Sequence, residues 1–102
     1  MHYVYILKCA DNSYYTGSTS DLEHRLAEHR VGLYKGYTSK RLPVHLVWSQ
    51  EFPTEHEAFI TERQVKGWSR QKKEALIRGD WDDLHEIVRQ ERRAREVRKQ
   101  GS

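Results

Sequence analysis

Two short aromatic runs on either side of a turn constrain this chain more than any other feature. From His2 to Cys9 aromatic and aliphatic residues alternate, Ala10-Asp11-Asn12-Ser13 has turn composition, and Tyr14-Tyr15-Thr16-Gly17 returns. The pattern predicts a β-hairpin, and side-chain parity then discriminates between turns. A two-residue loop at Asp11-Asn12 would set Lys8 opposite Tyr15 and put Tyr5 and Tyr15 on different faces. A three-residue loop or a bulge, with Asn12 left-handed, puts both tyrosines on one face. If the two tyrosines act together, the turn is of the second kind.

Downstream, Ser20-Asp21-Leu22-Glu23 reads as a capping box with Ser20 as N-cap. It predicts a helix from about Asp21 to Val31, closed by Gly32, with Leu22 and Leu26 buried and Arg25 one turn from His29. Residues 32–41 form a loop rich in Gly, Lys and Tyr, and Val44 to Phe52 reads as a third strand with Val44, Leu46 and Trp48 on one face. Thr54-Glu55-His56-Glu57 is a second capping box, opening a helix to about Trp68. Val65, Ala58 and Phe59 span its apolar arc and Glu62 falls inside it. A carboxylate on a buried stripe needs a partner or a metal. Ser69 caps a short helix ending at Gly79, and a last helix runs from Asp80 to Val88 through Leu84 and Ile87. Beyond Arg89 only Ala94 and Val97 are apolar, which predicts a solvated, fraying helix end.

The fold expected is α+β: a three-stranded antiparallel sheet flanked by helices, with a charged C-terminal helix. At 102 residues one small domain is expected, over residues 1–88, followed by a basic helical tail, 89–102. The formal charge of +3 is uneven. Six basic and two acidic residues lie from Arg89 onward, against 12 and 13 before it, so the tail holds the whole excess. Clustered positive charge suits phosphate binding as well as a merely solvated surface. Cys9 is the single cysteine, so no disulfide forms within the chain, and a reducing, cytoplasmic setting is expected. No stretch approaches the roughly 20 apolar residues of a membrane span, and the start Met1-His2-Tyr3, with neither a basic region nor a long apolar run, gives no expectation of a signal peptide.

The order Tyr3-Val4-Tyr5, Tyr15-Thr16-Gly17, Arg25, His29 and Glu62 resembles the GIY-YIG nuclease family, most closely its short bacterial members. The likeness covers roughly residues 3–78. It implies an endonuclease that hydrolyses phosphodiester bonds in DNA with one Mg²⁺ or Mn²⁺ ion, and affinity drawn from the 32–41 loop, the 63–78 segment and the tail favours single-stranded or structured DNA. By the resemblance Tyr5 is the general base and Tyr15 the phosphate or water partner. Arg25 clamps the scissile phosphate, His29 assists the base or contacts the phosphate, and Glu62, in Glu57-Ala58-Phe59-Ile60-Thr61-Glu62, is the sole metal ligand. Gly17 and Ser18 would lie against nucleic acid. So would Tyr34, Lys35, Tyr37, Lys40 and Arg41 of the loop, which could stack bases among cations. Lys66, Arg70, Lys72 and Lys73 complete the expected binding surface.

Taken singly these residues have ordinary explanations: strand tyrosines pack, a helical arginine is solvated, and Glu62 could pair with Arg25 or Lys66. Their joint order is what carries the reading. The chain departs from the family pattern at four places. Tyr3 replaces the Gly of the first motif, Thr16 replaces Ile in the second, and Ser18 stands where excision-repair relatives have a basic residue. Many members also carry an Asn about twelve residues after the metal Glu, where this chain reads Lys72-Lys73-Glu74. Two rivals therefore stand beside the nuclease: a nucleic-acid-binding module that has lost cleavage, and a protein-interaction domain.

Overall fold

Strand β1 (His2–Lys8) is the centre of the sheet, between β2 (Tyr14–Thr19) and β3 (His45–Phe52), and both pairings are antiparallel. The computed structural model describes residues 1–34 and 36–100, and the side chains of all these but 97–100. Val4, Tyr5, Ile6 and Leu7 are fully buried, as a central strand covered on both faces requires. The turn is the three-residue kind. Cys9 N–H donates to the Ser13 carbonyl at 2.8 Å, Asn12 has φ of 68°, and Leu7 lies opposite Tyr15. Tyr5, Leu7, Tyr15 and Gly17 therefore share one face, and Val4, Ile6, Thr16 and Ser18 the other.

The first face carries helix α1 (Leu22–Arg30). There Tyr5, Leu7, Cys9 and Val44 form a core against which Tyr15, Leu22, Leu26 and Leu46 pack, the two helical leucines half-buried. Helix α1 begins one residue later than the capping box implied: Asp21 is the N-cap and its carboxylate accepts from His24 N–H at 3.1 Å. Thr19 causes the shift, because its hydroxyl accepts from Asp21 N–H and donates to Asp21 C=O, aiming that side chain at the helix end. A carboxylate there also favours the positive end of the helix dipole.

Helix α2 (Glu55–Lys66) packs on β1 and β2 across the other face. Thr54 caps it, accepting from Glu57 N–H at 3.2 Å, as expected. Its buried and half-buried residues are Ala58, Thr61, Glu62 and Val65, spaced i, i+3, i+4, i+7. Glu62 is thus central to the stripe, and Phe59, expected inside it, is 49% exposed. A second correction concerns β3. The pairing of β1 with β3 slips between Ile6 and Leu7, so that Ile6 faces Trp48 and Leu7 faces Leu46. Val47 is the extra residue of this bulge, which sends Leu46 and Trp48 to opposite faces where simple alternation put them together.

The chain divides into two compact units, Met1–Gly67 and Trp68–Ser102. Within the second, helix α3 (Arg70–Arg78) is capped by Ser69 and closed by Gly79 at φ of 69°. Helix α4 (Trp81–Gln100) follows, and Ala75, Leu84 and Ile87 form a core with Trp68 packed on it. Asp80 caps α4, accepting from Asp83 N–H at 3.1 Å. The helix continues well beyond Val88, and residues 92–96 are exposed along it. Among the described residues no helix is long and apolar enough to cross a membrane.

Candidate active site

Helical spacing and strand parity bring four of the five sequence-selected residues together on the α1 face. Tyr5 projects from the central strand beneath α1, and its hydroxyl lies 2.9 Å from His29 Nε2. Both residues have no exposed surface. The Tyr15 ring packs 6.3 Å from Tyr5 and 5.3 Å from His29, centroid to centroid. Arg25, one turn before His29, lies beside the Tyr5 phenol, stacks over Tyr34 at 4.8 Å and approaches Glu28 at 3.4 Å.

The room for this arrangement comes from Gly17, paired with Tyr5 across the hairpin. A Cβ at Gly17 would stand 2.5 Å from the Tyr5 hydroxyl and 2.6 Å from Cζ, closer than any side chain tolerates. The space that the missing side chain leaves is therefore filled by Tyr5.

Burial sets the electrostatics. It pushes the Tyr5 phenol up to about 12, with Arg25 working against the rise. Tyr15 is also raised, first by burial and then by a hydrogen bond with Tyr34. His29 is lowered by burial first and by the Arg25 charge second, so its ring is neutral at pH 7. A neutral ring has one acceptor nitrogen and one donor nitrogen. On its far side His29 Nδ1 lies 2.8 Å from Thr38 Oγ1, a hydroxyl only 1% exposed.

Thr38 was not among the residues selected from sequence, and nothing there distinguishes it from any threonine in a polar loop. Residues 37–41 of that loop are tightly held. Arg41 donates to Asp11 Oδ2 at 3.0 Å and to the Tyr37 carbonyl at 2.8 Å, and stacks over the Tyr37 ring at 3.8 Å. Ala10 N–H donates to the Arg41 carbonyl, tying the loop to the hairpin turn. The Tyr34 ring packs 4.4 Å from His29, and Tyr37, 42% exposed, stacks on Tyr15 at 6.3 Å. Lys40 is exposed. Lys35 and residues 101–102 of the tail lie outside the described residues.

Glu62 comes from the other face. Its Oε1 accepts from Ser18 Oγ at 3.1 Å, and Ser18 alternates with Gly17 on edge strand β2. The selected residues therefore wrap around the free edge of β2, with Tyr5, Tyr15, Arg25 and His29 above it and Ser18 and Glu62 below. The Glu62 charge acts on both phenols, further raising each. A cavity of about 260 Å³ lined by Ser18, Thr19, Arg25 and Phe59 opens at this edge. A second, of about 430 Å³, is lined by Phe59, Glu62, Arg63 and Lys66.

The remaining selected cations lie on α3. Lys72 pairs with Glu91 at 3.4 Å and sits over the Trp68 ring at 4.5 Å. Arg70 approaches Glu74 at 3.8 Å, and Lys73 is half-buried, which lowers its pKa.

A hairpin that places two tyrosines beside a helical Arg–His pair, with a carboxylate helix behind the same edge, defines a class. The chain belongs to the GIY-YIG family, whose catalytic domain matches residues 1–75, and that membership supports a nuclease-type function in general. Within it, the chain is similar to short UPF0213 proteins of bacteria and archaea. It is 47% identical over 76 residues to one from Staphylococcus haemolyticus, covering 74% of this chain and 93% of that protein. It is 45% identical over 77 residues to one from Halobacterium salinarum, covering 76% of this chain and all of that one. The solution NMR structure of a UPF0213 protein from Bacillus halodurans matches with a TM-score of 0.50 at 47% identity, over 74% of this chain and 81% of that one. The shared fold is α+β, built on a three-stranded antiparallel sheet.

Proposed function

We propose that this protein is an endonuclease that hydrolyses phosphodiester bonds in single-stranded or structured DNA, with Tyr5 as general base. The observation that carries the reading is the buried 2.9 Å bond between the Tyr5 hydroxyl and His29 Nε2, with the Arg25 guanidinium beside it. Water attacks phosphorus as the bond to the leaving sugar oxygen breaks, and that oxygen takes a proton from solvent. Tyr5 accepts the proton of the water while its own passes to His29 Nε2. This coupling matters because a phenol near 12 would be free phenolate in only about 10⁻⁵ of molecules at pH 7. Arg25 holds the phosphate through its planar fork and offsets charge developing on it, while Tyr15 orients the phosphate or the water.

Glu62 fits a divalent cation of the Mg²⁺ or Mn²⁺ kind. Its carboxylate is half-buried, oriented by the Ser18 hydroxyl, and faces a cavity. No cluster of three or more His, Cys, Asp or Glu stands with it among the described residues, which suits an ion that keeps most of its waters. When bound, such an ion polarises the phosphate and stabilises the leaving oxygen. Substrate is held by exposed Lys40 and Lys66, the outer faces of Tyr34 and Tyr37, and the edge at Gly17 and Ser18, and the basic residues of α3 are a separate source of affinity for phosphate. Chemistry belongs to residues 1–88, and the tail, 89–102, adds affinity.

The test is cleavage of labelled single-stranded, duplex and branched DNA and of RNA, with and without Mg²⁺ or Mn²⁺. Glu62→Gln stays folded, loses metal affinity and slows cleavage on the order of 10³-fold or more. Arg25→Ala slows cleavage comparably with metal affinity unchanged. A Glu62→Gln protein cutting at the wild-type rate would refute the metal assignment. Salt-sensitive binding without cleavage by the wild type would point to a binding module, and salt-independent association to a protein-interaction domain.

A further inference from the structure

We infer that Thr38 is a positioning residue for the proton transfer: its hydroxyl fixes the tautomer of His29 that leaves Nε2 free to accept from Tyr5. The inference rests on the roles given above to Tyr5 and His29. Its own basis is the unbroken line of buried atoms Tyr5 Oη, His29 Nε2, His29 Nδ1 and Thr38 Oγ1, spaced 2.9 Å at the first bond and 2.8 Å at the last.

Which nitrogen of a neutral imidazole carries the proton is set by the bond the other nitrogen makes. With the proton on Nδ1, His29 donates to Thr38 Oγ1, and the Nε2 lone pair meets the Tyr5 hydroxyl. With the proton on Nε2, a donor would face the phenol, and Tyr5 would have no base to take its proton. A buried Nδ1–H without an acceptor is costly, on the order of 1–3 kcal/mol. A hydroxyl can accept or donate; with Arg25 bonded to the Tyr5 oxygen, the phenol donates to Nε2, and Thr38 accepts from Nδ1–H at a fully enclosed position.

The loop explains why the hydroxyl sits there. Arg41 N–H donates to the Thr38 carbonyl at 3.0 Å, and the Arg41 side chain is braced between Asp11 and the Tyr37 carbonyl. The Ser39 hydroxyl donates to the Gly36 carbonyl at 2.9 Å and closes the turn containing Thr38. Residues 32–41, rich in cations and tyrosines, thus serve the site from within as well as facing substrate. The loop delivers one oxygen to one ring nitrogen.

The experiment reads the tautomer directly, from long-range ¹H–¹⁵N spectra of histidine-labelled protein at pH 7.5, alongside cleavage of a single-stranded oligonucleotide with Mn²⁺. In the wild type the proton is expected on Nδ1 of His29. Thr38→Val keeps the shape without the hydroxyl and should move the proton to Nε2. Its kcat should fall about 10²-fold at unchanged KM, and Thr38→Ser should restore both tautomer and rate. Thr38→Ala accompanies the valine variant, so that a misfolded isostere does not remove the comparison. A wild-type proton resting on Nε2, or an unaltered Nδ1 proton in the folded valine and alanine variants, would overturn the inference. A wild type that cuts no substrate would remove the nuclease reading instead, while the spectra still decide what Thr38 does to His29.

Discussion

Gly17 belongs to the proposed site because of the side chain it lacks. With the Tyr5 hydroxyl 2.5 Å from where a Cβ would stand, Gly17→Ala must displace the phenol or bend the strand. Overpacking of this kind costs about 1–3 kcal/mol, and the displaced ring loses its bond to His29. The variant should melt earlier and cut at least about 10²-fold more slowly. Wild-type rates would show that Tyr5 tolerates a different place. His29 makes a second prediction. Burial depresses its pKa, so the folded protein binds that proton less readily than the unfolded chain. Its contribution to stability is complete above the ordinary value of 6.5 and is lost as pH falls below it. Urea midpoints should drop between pH 7 and pH 5, and His29→Asn should flatten that slope. An unchanged slope in the variant would place the acid sensitivity elsewhere. The candidate residues Tyr5, Tyr15, Arg25, His29 and Glu62 could be selected from their order. Thr38 was not, because its importance lies in what it meets nine positions away from His29, through a loop no short-range pattern describes.

At the scale of elements, caps and turns read well and their details moved by single residues. Three helix N-termini occur near their expected places because the capping bond is made within four residues of chain. The exception tests the rule. Asp21 caps α1 in place of Ser20, through a bond to His24 N–H, after Thr19 has fixed the Asp21 backbone. Asp21→Ala should therefore cost about 1 kcal/mol and loosen the helix that carries Arg25 and His29, whereas Ser20→Ala should be nearly neutral. Thermal melts of the pair decide between the two caps, and equal losses would count against Asp21. The bulge at Val47 could not be read from alternation in β3. It is a mismatch between two strands, and neither strand holds the information alone. The exposure of Phe59 has a related cause. Helix α2 turns the 58–61–62–65 stripe to the sheet, and a hydropathy arc drawn on the helix alone favours the larger aromatic.

The whole molecule joins a sheet unit with the candidate site to a helical unit ending in a basic segment. Truncation after Val88 removes six basic and two acidic residues but none of the buried residues Ala75, Leu84 and Ile87. Nucleic-acid binding should weaken, and the slope of log K against log salt should become shallower by about 0.7 for each phosphate of a single strand that the tail had neutralised. The rate at saturating substrate should persist. Equal affinity and slope in the truncated protein would make the tail a solvated helix end only. By itself the sequence determined the hairpin, and it tied a left-handed Asn12 to a shared face for Tyr5 and Tyr15 while leaving two turns open, between which the strand register decided. It also determined the one-turn spacing of Arg25 and His29, and Glu62 on the buried stripe of α2. Each of these follows from the two- and 3.6-residue periods of strands and helices or from bonds across a few residues. Only the tertiary structure decided that Glu62 bonds to Ser18 at the edge of β2, that Tyr5 occupies the space above Gly17, and that a loop hydroxyl meets the far nitrogen of His29. These are encounters between segments distant in the chain, selected by packing and by the cost of burying an unpaired polar group, and no local period encodes them.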